Sequence, residues 1–153
     1  MEYDISKDLD FIINNTIDNI NFSYIKKSKI HGFGLFSRIN IHENTILGNL
    51  DGQVISWEKY DDLERNISND IIKYKNYFFM EWNALNTKTL LVRSLRTKYS
   101  YINHSYTPNL KIEYNPIRII TLRKIKKDEE LTLDYTKEPL KENYFNNHGK
   151  TYL

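Results

Sequence analysis

The stretch from Ser100 to Leu110, SYINHSYTPNL, is apolar at its ends and polar in its middle. Asn103, His104 and Ser105 stand side by side between Ile102 and Leu110, and Pro108-Asn109 forces a second turn directly after them. An amide, an imidazole and a hydroxyl in succession bring several donors and acceptors into a place whose flanks ask for a core. Taken by itself, the stretch reads as an Asn-rich turn that satisfies its own backbone. A metal site would need three or four ligands; His31, His42 and His148 are scattered and cysteine is absent, so no metal is expected. A Ser–His nucleophile pair needs two side chains facing each other from different elements, whereas His104 and Ser105 are neighbours that point apart.

Two further stretches give this turn a context. In KIHGFGLFS, from Lys29 to Ser37, Gly32 and Gly34 flank Phe33. Glycine opens backbone conformations closed to other residues and lets a ligand approach main-chain N–H and C=O groups. The dinucleotide fingerprint needs a third glycine opening a helix, and here a strand follows, so that reading is set aside. In EELTLDY, from Glu129 to Tyr135, a strand ends on Asp134-Tyr135. An aromatic residue at that place is ordinarily core, but a phenol at a strand end beside a Gly-rich loop can present its oxygen to a substrate.

In this order, with a GxG early, NHSxxPN about two thirds along and EELTxDY near the end, the three stretches together resemble the SET domain family of protein-lysine methyltransferases. Gly32, Gly34, Asn103, His104, Ser105, Pro108, Asn109, Glu129, Glu130, Leu131 and Tyr135 carry the resemblance, which covers roughly residues 22–136. It implies a mostly β fold of short curved sheets with edge helices and a C-terminal pseudoknot that brings residues 101–109 against 131–136. It implies S-adenosyl-L-methionine as cofactor and a lysine side chain of a protein as acceptor. On the matching positions, His31, Gly32, Phe33 and Gly34 would offer main-chain contacts to the methionine end of the cofactor. Asn103 would bind its amino group, His104 would contact adenine through its backbone, and Tyr101 would lie with this set. Tyr144 or Phe145 would wall the adenine, and Tyr135 would stand beside the transferring methyl group. Leu50 occupies a place where the family often has a channel tyrosine, and the cysteine-rich zinc segment of many relatives is missing. The alternative is a SET-like module that binds cofactor or peptide without efficient turnover.

The rest of the chain sets limits. A length of 153 residues fits one domain, and a chain of that size buries about 68–70% of its unfolded surface. Without cysteine there is no disulfide framework, which fits a reducing compartment. A net charge of +2 does not argue for nucleic acid, and the basic run LRKIKK reads as a solvated turn balanced by Asp128, Glu129 and Glu130. No apolar run approaches the ~20 residues of a membrane span, and the N-terminus is acidic rather than signal-like. A cytoplasmic protein is therefore expected. The abundance of Ile, Asn, Lys and Tyr fits an AT-rich coding sequence, of bacterial or viral type.

Apolar residues from Ile5 to Ile20 recur at helical spacing, predicting an amphipathic helix over 5–20 within an N-terminal segment 1–21. It would pack on the domain 22–136 or serve as a dimer contact. Ser56 caps a second helix over 57–66, extending toward 75. NYFFMEW and TLLVRS read as a strand pair joined through NALNTK, and IRIITLRKI and ELTLDY as two strands around the turn KKDE. The tail 137–153 looks irregular or short-helical and would have to close the site.

Overall fold

Strand alternation explains how the sheets are built. In the computed structural model, which describes residues 7–70, 81–140 and 144, the chain divides into two units: Met1–Leu50 with Arg96–Thr136, and Asp51–Leu95 with Lys137–Leu153. Each has its own sheets and its own buried side chains.

The first unit holds two sheets. One has the order β1-β2-β10-β7, formed by β1 (Ser23–Lys27), β2 (Phe33–Ser37), β10 (Glu130–Leu133) and β7 (Asn103–His104). β2 lies antiparallel to both β1 and β10, while β7 and β10 run parallel. The register puts Ile25, Leu35 and Leu131 in one cross-strand row, and all three are buried. Because side chains alternate across a strand, the next row, Tyr24, Phe36 and Glu130, faces the other way. Burying each such Leu or Ile contributes roughly 1.5–3 kcal/mol, so this row fixes the register strongly. The second sheet, ordered β3-β9-β8, is formed by β3 (Ile46–Asn49), β9 (Arg118–Thr121) and β8 (Leu110–Glu113). The two strands expected around the KKDE turn thus belong to different sheets, β9 to this one and β10 to the first.

The expected helix over 5–20 is shorter within the described residues. α1 spans Leu9–Asn15, capped by the Asp8 carboxylate, which accepts from the Phe11 N–H at 2.9 Å. Thr16 is extended, and Ile17 forms a parallel bridge to Thr97 through the Ile17 N–H to Arg96 O and the Lys98 N–H to Ile17 O, both 3.1 Å. Two tertiary hydrogen bonds made by Ile17, which follows the β-branched Thr16, outweigh a weak helical propensity. Ile20 is fully buried beyond the helix, whereas Ile13 and Ile17 remain about half exposed.

The second unit is a three-stranded antiparallel sheet, β4-β6-β5, made of β4 (Gln53–Ser56), β6 (Thr89–Arg93) and β5 (Glu81–Ala84), with α2 (Trp57–Asp70) following β4. The Ser56 hydroxyl accepts from the Lys59 N–H at 3.0 Å, the cap read from the sequence. Asn83 and Ala84 belong to β5, so the connection is tighter than NALNTK; the Asn86 carboxamide oxygen closes it by accepting from the Lys88 and Thr89 N–H groups. Trp57, Ala84, Leu90 and Val92 form the buried core here, with Tyr60, Trp82, Leu140 and Tyr144 packed against it. α2 runs on to Asp70, within the suggested extension; residues 71–75, the strand portion 76–80, Phe145 and most of the tail 137–153 lie outside the described residues.

Candidate active site

The polar turn Asn103-His104-Ser105 lies in the first unit, where β7 meets β10. Asn103 pairs with Thr132 and His104 with Leu133, and the Ser105 N–H donates to Leu133 O at 2.9 Å. The second turn is bound to the same strand. Buried Asn109 donates through Nδ2 to Glu130 O at 2.7 Å and accepts the Thr132 N–H at Oδ1, 2.9 Å. One carboxamide thus satisfies a carbonyl and an amide that would otherwise be orphaned in the interior. The meeting of 101–109 with 131–136, expected from the resemblance, is present.

The GxG loop joins them through Asn103. Its Nδ2 donates toward four oxygens: His31 O at 3.1 Å, Phe33 O at 3.3 Å, Ser28 Oγ at 3.1 Å and Glu130 Oε1 at 2.9 Å. Four oxygens around one nitrogen fix which end of the amide is the donor, since a reversed carboxamide would set oxygen against oxygen. Ser28 organises the loop. Its N–H donates to Gly32 O at 2.8 Å, its hydroxyl accepts from the Ile30 and His31 N–H groups, and it donates to the Glu130 carboxylate at 2.8 Å. Gly32 turns the loop at φ +47°, where other residues are strained. Gly34 is required for a different reason: a Cβ there would lie 2.2 Å from Glu130 Oε1.

Tyr135 opens a short 3₁₀ turn, Tyr135–Lys137, immediately after β10 and Asp134. Its hydroxyl donates to the carbonyl of Ile102, the residue before Asn103, and its N–H donates to His104 Nδ1 at 3.1 Å. Since Nδ1 accepts, the ring hydrogen of His104 belongs on Nε2. That atom is buried and has no hydrogen-bond partner among the described residues. The imidazole is held between Tyr106, edge-on at 4.4 Å, and Tyr135 at 5.2 Å.

His31, Gly32, Phe33, Gly34, Asn103, His104 and Tyr135 are therefore assembled in one unit. Tyr101 is buried, with the Arg96 guanidinium 6.0 Å over its ring. Tyr144 belongs to the second unit, where its ring packs 5.7 Å from Trp57 and 5.6 Å from Trp82. Phe145 lies outside the described residues. Among the described residues, no group of three or more His, Asp or Glu side chains is placed to hold a metal, and no helix is long and apolar enough to cross a membrane.

The sequence motifs do not include Ser28 and give Glu130 no role of its own. Both left a signal. A serine opening a turn that ends on glycine is a side-chain-to-backbone motif, and a glutamate leading an apolar strand needs partners wherever it is partly buried.

A profile of the SET domain family matches residues 32–136. Among curated proteins, the chain is 31% identical over 133 residues to an H3 lysine-4 specific histone-lysine N-methyltransferase of Emericella nidulans, a match covering 77% of this chain and 11% of the relative. It is 28% identical over 116 residues to an H3 lysine-36 specific enzyme of Candida glabrata, covering 71% and 16%. Histone-lysine N-methyltransferase 2D of Homo sapiens is 29% identical over 121 residues, covering 75% and 2%. The chain therefore spans a small part of each of these relatives. With its profile matched across both glycines, the Asn-His-Ser turn and the terminal tyrosine, the chain belongs to the SET domain family.

Proposed function

We propose that the chain is a protein-lysine N-methyltransferase that takes its methyl group from S-adenosyl-L-methionine. The observation that carries this reading is the convergence of Tyr135, Asn103 and the GxG loop in one unit. The relatives' names, all histone-lysine N-methyltransferases, support the acceptor class.

The residues present suit such a cofactor. The loop carbonyls of His31 and Phe33 and the Glu130 carboxylate supply acceptor oxygens beside Asn103, the kind of surrounding an amino acid ammonium requires. His31, Gly32, Phe33, Gly34 and Asn103 would hold the methionine end and His104 the adenine. When bound, S-adenosyl-L-methionine supplies an electrophilic methyl carbon on a sulfonium.

The acceptor lysine has an ordinary pKa near 10.4, so presenting it neutral at pH 7 costs about 4.6 kcal/mol. Desolvation in an aromatic channel reduces that cost, as does a neighbouring positive charge. Water can then take the proton, and no strong base is needed from the protein. The remaining demand is alignment of an in-line displacement, with the reacting atoms at about 3 Å contact. Tyr135 is suited to it. Its hydroxyl donates to the Ile102 carbonyl, which fixes the phenol oxygen beside the Asn103 turn, and a phenol oxygen can receive weak C–H···O contacts from a polarised methyl.

Transfer of labelled methyl groups from S-adenosyl-L-methionine to a panel of lysine-containing proteins, histone H3 first, tests the reading. Activity lost in Tyr135→Phe and in Asn103→Ala supports it; full activity in both overturns it. The second reading, a module that binds without turnover, is favoured by Leu50, which is buried where a channel tyrosine is often found. Cofactor binding by calorimetry with no methyl transfer to any protein of a whole-cell extract would establish that instead.

A further inference from the structure

We infer that Glu130, together with Ser28, is a positioning device that sets the orientation of the Asn103 carboxamide toward the ammonium group of the cofactor. The inference rests on the cofactor reading above but adds Ser28, to which that reading gives no part, and a second role for Glu130.

The hydrogen bonds around Glu130 have a direction. Ser28 donates its hydroxyl hydrogen to the carboxylate, at 2.8 Å from Oε1 and 3.0 Å from Oε2. Having given that hydrogen away, the Ser28 oxygen can only accept, and its two lone pairs are shared among the N–H groups of Ile30 and His31 and the Nδ2 of Asn103. Asn103 Nδ2 also reaches Glu130 Oε1 directly, at 2.9 Å. A carboxylate has no hydrogen of its own, so it imposes the sense of the whole chain of bonds. Both amide hydrogens of Asn103 are thereby engaged by the loop, Ser28 and Glu130, and Oδ1 is the end of the amide they leave over. Among the described residues Oδ1 accepts no hydrogen bond, so it is the group left to receive an N–H from a ligand.

The space for this device is reserved in the backbone. Gly34 has no side chain, and a Cβ there would overlap the Glu130 carboxyl and come within 3.1 Å of the Ser28 Cβ. Glycine at 34 thus does more than let a ligand approach; it admits the carboxylate. Glu130 also adds a negative charge on the side of the site where a cationic group would be received, which strengthens the same preference.

The test separates the amino group from the rest of the ligand. Calorimetry would measure binding of S-adenosylhomocysteine and of its analogue lacking the α-amino group to the wild-type chain, Glu130→Ala, Glu130→Gln and Ser28→Ala, each checked for folding by circular dichroism. In Glu130→Ala the preference for the amino-bearing ligand should fall by about tenfold or more, while affinity for the des-amino analogue is held. Glu130→Gln, which keeps one acceptor oxygen, should fall between, and Ser28→Ala should weaken the same preference. Should Glu130→Ala fail to fold, the Gln and Ser28 variants carry the measurement. Equal loss for both ligands, or no change for either, overturns the inference. A wild-type chain that binds neither ligand overturns the cofactor reading itself, and this inference with it.

Discussion

A side-chain carbon on Gly34 would sit 2.2 Å from the Glu130 carboxylate oxygen and 2.9 Å from its carboxyl carbon, a separation no pair of unbonded atoms tolerates. The two residues lie on neighbouring strands, β2 and β10, and the emptiness of one makes room for the charge of the other. Gly34→Ala is therefore expected to displace Glu130 and to destabilise the chain by about 1–3 kcal/mol, the usual cost of overpacking. In a Glu130→Ala background the same change should cost much less. Denaturant unfolding of the four proteins of this cycle measures the coupling; additive effects would mean that the two side chains do not compete for the space.

Asn109 acts as a piece of backbone. Its carboxamide takes the place of a strand neighbour for Glu130 O and the Thr132 N–H. Asn109→Ala would leave both groups unpaired in the interior, costing about 2–4 kcal/mol. A lowered urea midpoint with an unchanged slope is the expected result, and Asn109→Asp should not rescue it, because a carboxylate cannot donate to Glu130 O.

Tyr135 and Asn103 should fail in different ways. On the proposed reading, Tyr135→Phe removes the oxygen beside the transferring methyl together with its hydrogen bond to Ile102 O, so turnover should fall about a hundredfold with cofactor affinity less affected. Asn103→Ala should weaken cofactor binding first. Calorimetry of each variant beside labelled methyl transfer reads the two effects separately.

Tyr24 adds a small alkaline pH dependence to stability. Its hydroxyl donates to Asp128 Oδ1 at 2.7 Å, and that bond, with burial and the Asp128 charge adding to it and Arg38 opposing, raises the phenol above its ordinary pKa of 10.0. A group raised in the folded state contributes stability that is fully present below the unfolded pKa and is lost as pH rises through the folded one. Stability should thus decline above pH 10, and Tyr24→Phe should remove this part of the decline. Thermal unfolding followed between neutral and strongly alkaline pH checks the difference.

Much of the site could be read from residue types in order. Asn103, His104, Tyr135 and the glycines are short motifs whose spacing survives without knowledge of the fold, and the structure brings them into one unit. What was illegible was long-range. Ile17 fits a helical stripe as well as Ile12 does, and only its bridge to Thr97 decides otherwise. Nothing local to Glu130 reveals that Ser28 and Gly34 meet it, since those contacts span about two thirds of the chain. Likewise, IRIITLRKI and ELTLDY look like the arms of a hairpin because they are adjacent, yet each finds better partners elsewhere: β9 between β3 and β8, and β10 between β2 and β7. Tyr144 matches the family only loosely, and no local pattern announces that its ring packs with Trp57 and Trp82, which are remote from it in sequence.

The pairing of β2 with β10 also has a temporal consequence. During synthesis the glycine loop and its strand leave the ribosome long before Leu131, the residue opposite Leu35, has been polymerised. Until then one edge of β2 has no neighbour from β10, and contacts closed across so long a stretch form slowly. The glycine loop thus gains its β10 neighbour late, and a nascent chain arrested before Glu130 would carry every glycine of the motif and still lack the strand and carboxylate they pack against.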